Sequence, residues 1–383
     1  MSNESKQEYL GTIKQRYYQS SKKEKKKILD EFCLTCSYNR KYAIRIINPK
    51  ETKKSISKQR SGRKKIYISD ELLKFLIQLW EASNLACLVK LRVMIPLWLP
   101  FYQEALNETT KDLLQKISPS TIDRILKPSR KKYGKIGLAT TKPCSLIRKQ
   151  IPIKTNQWDE KIPGYIEADT VAHCGNSIAG MFVYSLNTID IATGWTEARA
   201  LWGKGQKVAF EAIKSIEESY PFKLQGFDSD NGGEFINWHL YSYFINRKKP
   251  VSYTRSRAYE KNDNAHIEGK NWTNIRQYFG YKRFDDKEIV FLMNNIFENE
   301  WPLLFNYYFP SMKLIKKQRV DGHVIKKHSP PKTPLQRLLD SKQITRKKEK
   351  ELLEKIKDVN PFELQKTLEN KIRNVLRYGK SNI

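Results

Sequence analysis

From residue 165 onward the chain changes texture, and the order of elements there limits the folds open to it. Three strand-like runs follow one another at 165–172, 181–189 and 194–201, rich in β-branched and aromatic residues. A helix-like run at 206–220, a strand at 224–229, a helix at 233–246, a short strand at 251–254 and a long helix at 264–278 come next. Periodicity alone makes this an α/β domain.

Three acidic residues punctuate that order. Asp169 stands in Glu167-Ala168-Asp169-Thr170, Asp230 in Asp228-Ser229-Asp230-Asn231-Gly232-Gly233-Glu234-Phe235, and Glu268 in Asn264-Ala265-His266-Ile267-Glu268. The first two end strand-like runs and the third opens a helix-like run. Carboxylates converging from rigid elements are what hard divalent cations require for phosphoryl transfer. Alternation along a strand puts Glu167 on the face of Asp169, and Asp228 on the face of Asp230, so Asp228 stays a rival for the second position. Asn231-Gly232-Gly233 lets the backbone turn sharply and approach a phosphate closely. Glu268 sits near the start of a helix whose inner stripe is Trp272, Ile275 and Phe279. The helix dipole favours a carboxylate there, and Asp263 or Asn264 can cap the helix.

The net charge of +30 is unevenly spread. Residues 1–160 hold 34 Lys and Arg against 15 Asp and Glu, residues 161–300 hold 17 against 18, and residues 301–383 hold 20 against 8. Basic flanks around a near-neutral centre suit arms that grip a polyanion while the centre does chemistry, and nucleic acid is the expected partner. No run of 18 uncharged apolar residues exists, so no membrane span is expected, and no signal-like segment opens the chain. A cytoplasmic protein is expected, in a bacterium and associated with the nucleoid. The five cysteines do not make a disulfide framework; Cys33 and Cys36 have half the spacing of a zinc site but no second pair follows, so they are expected to pack a helix junction.

The flanks read as helices. Residues 8–48 carry three, the third starting from a Ser37 cap and presenting Arg40, Lys41 and Arg45, which suits either a helix-turn-helix or a plain bundle. The linker that follows ends in Arg60, Arg63 and Lys64, candidates for a minor-groove arm. In residues 113–127 a short helix, a tight turn and a helix capped by Ser118 with Pro119 at its first position form a stronger helix-turn-helix pattern. Ile122, Ile125 and Leu126 point inward there, and Ser120, Thr121 and Arg124 outward. Arg255, Arg257 and Lys261, ahead of Glu268, are candidate phosphate contacts, and His173 is read as a packed or surface residue rather than a neighbour of the acids. A basic alternating stretch at 312–327 suits a small β-structure, and residues 344–378 suit charged helices broken near Pro361.

Together with Thr193-Gly194-Trp195-Thr196-Glu197, Lys261-Asn262-Asp263-Asn264-Ala265-His266 and Lys270-Asn271-Trp272, the three acidic contexts resemble the DDE transposases of bacterial insertion sequences, of the retroviral integrase-like superfamily. The resemblance covers roughly residues 60–340. It implies an α/β RNase H-like core, a mixed five-stranded sheet with helices, flanked by helix-turn-helix domains and a basic C-terminal region. The implied order is 1–50 helix-turn-helix-like, 51–67 basic linker, 68–128 second helix-turn-helix, 129–158 basic linker, 159–290 catalytic core, 291–340 basic segment and 341–383 charged tail. It further implies Asp169, Asp230 and Glu268 as catalytic residues and metal ligands for two Mg²⁺ or Mn²⁺ per site, no small-molecule cofactor, Lys270 among the DNA contacts, and a homo-oligomer acting on double-stranded DNA, both element ends and target DNA. A regulator with an inactive core, or a plain metal-dependent nuclease, would share much of this pattern.

Overall fold

The computed structural model describes residues 3–48, 66–67, 69–130, 160–256, 265–320 and 323–378. Arg60, Arg63, Lys64, Arg257 and Lys261 fall outside them. The chain divides into two compact units, residues 1–66 and 67–383.

The first unit is three helices, α1 (Asn3–Gln19), α2 (Lys22–Cys36) and α3 (Arg40–Ile47). Ile13, Ile28, Leu29, Phe32, Cys36, Ala43 and Ile47 form its buried core, so Cys36 serves as a small apolar residue. Ser37 does not cap α3, contrary to expectation. It ends α2 in the left-handed conformation, with φ of 52°. The cap is Asn39, whose side chain accepts from the Lys41 N–H at 3.0 Å.

The second unit is built on a sheet of order β3-β2-β1-β4-β5. Its strands are β1 (Tyr165–Ala172), β2 (Val183–Asp190), β3 (Thr196–Trp202), β4 (Gly226–Ser229) and β5 (Ser252–Arg255). The first three form an antiparallel meander, while β4 and β5 add in parallel on the other side of β1. The mixed five-stranded sheet with helices is therefore present. The crossovers run through α8 (Gln206–Ser219) and α9 (Trp238–Ile245). The latter starts later than residue 233, because Asn237 caps it at the Leu240 N–H and the residues before it are spent in a turn.

The expected long helix at 264–278 is three pieces in one run: α10 (Ala265–Lys270), a π-helical stretch (Asn271–Arg276) and α11 (Gln277–Phe279). The next helix is α12 (Glu288–Glu298), ahead of which Asp286 accepts from the Glu288 N–H at 2.8 Å. Short α13 (Glu300–Leu303) and a second π stretch (Leu304–Tyr308) follow. The alternating basic stretch is a hairpin, β6 (Leu314–Val320) and β7 (His323–His328).

Helices α4 (Asp70–Ala82), α5 (Leu88–Trp98), α6 (Glu108–Lys116) and α7 (Pro119–Arg130) precede the sheet in sequence but share its core. The Ser118 hydroxyl accepts from the Thr121 N–H, the cap read from the sequence, and Ile122 and Leu126 are fully buried. The tail, α14 (Pro334–Ser341), α15 (Arg346–Glu354) and α16 (Pro361–Tyr378), packs on the body of its own chain. Phe362 stands edge-on to Trp98 at 4.8 Å, and the Tyr308 hydroxyl donates to Val359 O at 2.8 Å.

Two buried polar side chains hold the ends of the meander. Asp190, closing β2, accepts from the Gly164 N–H, the Thr193 N–H and the Thr193 hydroxyl at 2.8, 2.7 and 2.6 Å. Burial still pushes its carboxyl up to about 6. His173, just past β1, lies within 2.8 Å of the Ser185 hydroxyl and stacks on Phe284. Burial, with Arg276 adding to it, pushes its imidazole down to about 3, so it is a neutral core residue.

Asp190→Ala leaves three buried donors without their acceptor, and equilibrium unfolding is expected to show a loss of about 2–4 kcal/mol. His173 makes an acid-sensitive contribution. The unfolded imidazole takes up a proton below its usual 6.5 and the folded one only near 3, so stability falls as pH drops across that window, by at most about 1.4 kcal/mol per pH unit. Compared with His173→Phe, the wild type is expected to lose about 2 kcal/mol more between pH 6 and pH 4.5 in denaturant titrations.

Candidate active site

Parallel pairing of β1 with β4 does the positioning. The register sets Glu167 beside Asp228 and Ala168 beside Ser229, so Asp169 and Asp230 follow one residue past the last paired positions. Asp230 stands just beyond the end of β4, whereas Asp169 lies inside β1 and not, as expected from the sequence, at its end. Neighbouring strands lie about 4.8 Å apart, which leaves two carboxylates side by side on one face. Burial first, and the charge of Asp230 second, push the Asp169 carboxyl well above the usual carboxylate range.

The inner acids of each pair have other work. Glu167 is fully buried and its Oε2 accepts from the Ile267 N–H at 3.1 Å. Asp228, also buried, accepts from the Thr254 hydroxyl on β5. Asp169 and Asp230 keep partial exposure. The ambiguity within each strand thus resolves by hydrogen bonding: the inner acid of each pair braces a neighbouring element and the outer acid faces the opening.

The Glu167 carboxylate accepts an N–H from the first turn of α10 and so ties that helix to β1. Glu268 follows that N–H by one residue. One helical turn on, Asn271 Nδ2 donates to Asp169 Oδ2 at 2.6 Å, and Asn271 Oδ1 accepts from Asn187 Nδ2 at 2.9 Å. Asn274 continues the seam by donating to the Thr196 hydroxyl. These partners fall in the π-helical stretch, whose wider turns are common at functional sites.

Asp230 is oriented by its own turn, accepting from the Gly232 N–H at 2.9 Å. A Cβ at Gly232 would stand 2.6 Å from Glu234 Oε2 and 2.9 Å from Asp230 Oδ1, so a larger residue there would displace these carboxylates. Those two oxygens therefore lie within 5.5 Å of each other. Glu234 is buried, accepts from the Thr170 hydroxyl at 2.9 Å and pairs with Lys204 Nζ at 2.7 Å. Burial opposes the charge on Lys204, but Glu234 and Asp230 outweigh it and raise its pKa, and that charge in turn steadies Asp169. The sequence reading missed both residues; Glu234 lay inside a quoted motif, but nothing near Lys204 marked it.

The remaining candidates scatter. Arg255 Nη1 donates to Asn231 Oδ1 at 3.1 Å, next to Asp230. Lys270 points instead towards a cleft beside α5; burial, then Lys90 and Arg337, push its ammonium down to about 7. Arg124 is exposed on α7, beside Ser120 and Thr121, and donates to the Thr121 hydroxyl. Arg40, Lys41 and Arg45 are exposed in the first unit, Arg40 paired with Asp30 and Arg45 over the Tyr42 ring.

Among the described residues no group of three His, Cys, Asp or Glu side chains is arranged to hold an ion, and the Glu268 side chain is not among them. The Asp169–Asp230 pair nonetheless fits a divalent cation chemically, since two adjacent, partly buried and mutually repelling carboxylates gain most from a shared positive charge. Among the described residues no helix is long and apolar enough to cross a membrane.

No family model matches the chain. Among solved structures, the catalytic core domain of BIV integrase aligns with 46% of this chain and 95% of its own, at 14% identity and a TM-score of 0.29. The "Uncharacterized protein y4rM" of Sinorhizobium fredii (strain NBRC 101917 / NGR234) is 34% identical over 335 residues, which span 86% of this chain and 94% of that protein. At that identity over nearly the whole of both, the chain belongs to the same family as y4rM.

Proposed function

We propose that this protein is a DDE-type transposase, a polynucleotidyl transferase that cuts DNA at the ends of a mobile element and joins them to target DNA. The observation that carries the reading is the placement of Asp169, inside β1, beside Asp230, just past the end of the parallel neighbour β4, with α10 tied to β1 through Glu167. Asp169, Asp230 and Glu268 would hold two Mg²⁺ or Mn²⁺, which when bound supply activation of the attacking hydroxyl and stabilisation of the leaving 3′-oxygen.

The chain's own residues prepare that site. Asn271 and the Gly232 N–H fix the two carboxylates in orientation. Lys204, held by Glu234, presents a partly exposed cation beside both acids, where a phosphate oxygen of the substrate would meet it. The basic flanks supply grip, with α6 and α7 read as a helix-turn-helix whose Arg124 faces DNA, and residues 1–50 as a second DNA-binding unit. Joining two ends calls for two copies of the site, so the working form on DNA is a homo-oligomer.

Asp169→Ala, Asp230→Ala and Glu268→Ala are each expected to cut strand cleavage and strand transfer at least about 100-fold while leaving DNA binding intact, and Asn271→Ala to cost about 10–100-fold. Oligonucleotide cleavage and gel-shift assays on the same preparations read both. An active Asp230→Ala beside an inactive Asp228→Asn would move the site to the inner acid. Lys204→Met removes a cation that repels metal and attracts DNA. The half-saturating Mg²⁺ concentration is expected to fall several-fold while KM for DNA rises several-fold. Movement of both in the same direction would show that Lys204 acts only through folding.

A further inference from the structure

On the far side of the active-site helix from the carboxylates lies a cleft of about 200 Å³, bounded by the α4–α5 turn, the start of α5 and the helix that carries Lys270. Lys90 and Lys270 both line it, and no Asp or Glu does. A third cation stands at the rim. Arg337 Nη1 donates to the Ser311 hydroxyl at 2.8 Å, and Ser311 is part of the wall. The other guanidinium bonds of Arg337 go to the neutral carbonyls of Thr193 and Ser311. Among the described residues no carboxylate pairs with Lys90 or Lys270, and the charges of Lys90 and Arg337 bear directly on Lys270.

The helix geometry adds a fourth positive element. Cys87, the residue before α5, lines the cleft, and α5 starts there with no capping side chain and no acid in its first turn. Its first N–H groups and the positive end of its dipole are therefore left to whatever enters the cleft. Two half-buried lysines and an uncapped helix start, with no carboxylate lining the cleft, are costly unless an anion completes them.

We propose that this cleft is a binding site for a phosphate group, held by Lys90, Lys270, the rim formed by Arg337 and Ser311, and the first turn of α5. A tetrahedral oxoanion matches these donors, since ammonium groups and a helix start bind phosphate from several directions at once. A phosphate seated there ties α5 to the helix that bears Asn271 and Glu268, from behind the catalytic face. The group comes either from a DNA backbone or from free phosphate.

The test uses full-length protein in metal-free buffer, with inorganic phosphate titrated against chloride at constant ionic strength and thermal unfolding as the readout. The wild type is expected to show a saturable rise of a few degrees. Lys270→Met and Lys90→Met are each expected to abolish that rise and to raise the melting midpoint in phosphate-free buffer, because each removes an uncompensated charge. Should Lys270→Met fail to fold, Lys90→Met carries the comparison alone. A second titration uses a short random-sequence duplex: if saturating phosphate weakens duplex binding more than matched chloride does, the occupant is a backbone phosphate, and if it does not, the occupant is the free anion. A wild-type midpoint that does not respond to phosphate beyond chloride overturns the proposal, as does an undiminished response in the variants. Neither result bears on cleavage at Asp169 and Asp230.

Discussion

Asp169 and Asp230 repel each other, and the rest of the second unit is arranged so that they cannot separate. Asp169 lies within the central strand β1 and Asp230 just past the end of its neighbour β4, and the β1–β4 register leaves no room to slide. Shifting either strand by one residue would turn every buried side chain on it to the wrong face. The stable sheet therefore imposes an unfavourable carboxylate pair, and burial makes it worse by removing water. Strain of this kind persists only where the surrounding fold determines it and function uses it.

The same economy runs through the neighbouring polar groups. Glu167 and Asp228, one pleat further in, are acids used as struts for α10 and β5. Asn187, Asn271, Asn274 and Thr196 stitch the π-helical stretch to the meander by neutral hydrogen bonds. Neutral partners fix the geometry of Asp169 without cancelling its charge, so its demand for a cation survives. Lys204 and Glu234 meet that demand in part and leave one exposed positive group at the opening.

What the sequence made legible follows from how local each cause is. The first strand was readable to the residue, because Tyr165–Ala172 is rich in aromatic and β-branched residues and follows Gly164. Asp230 was readable because an Asn-Gly-Gly turn after a strand is a local signal, whereas Asp169 lies inside β1 and not at its end. The π stretch was not readable, since its side chains find their partners on β1, β2 and β3, 102 positions away in the case of Asn271 and Asp169. Ser37 misled because serine suits a helix start in general, while Asn39, two residues later, holds the N–H. Lys204 and Lys270 looked alike as lysines in a basic chain; only tertiary packing sends one to the carboxylates and the other to a cleft behind them.

That Asp169 and Asp230 form one cation-demanding site is tested most directly by calorimetric titration of Mn²⁺ into the full-length protein near neutral pH, without DNA. Saturable binding that releases protons is expected, because Asp169 is held partly protonated until a cation arrives. Asp169→Asn and Asp230→Asn should each remove that binding together with the proton release. Wild-type protein that takes up no Mn²⁺, or that takes it up equally well with either aspartate replaced, would contradict the claim.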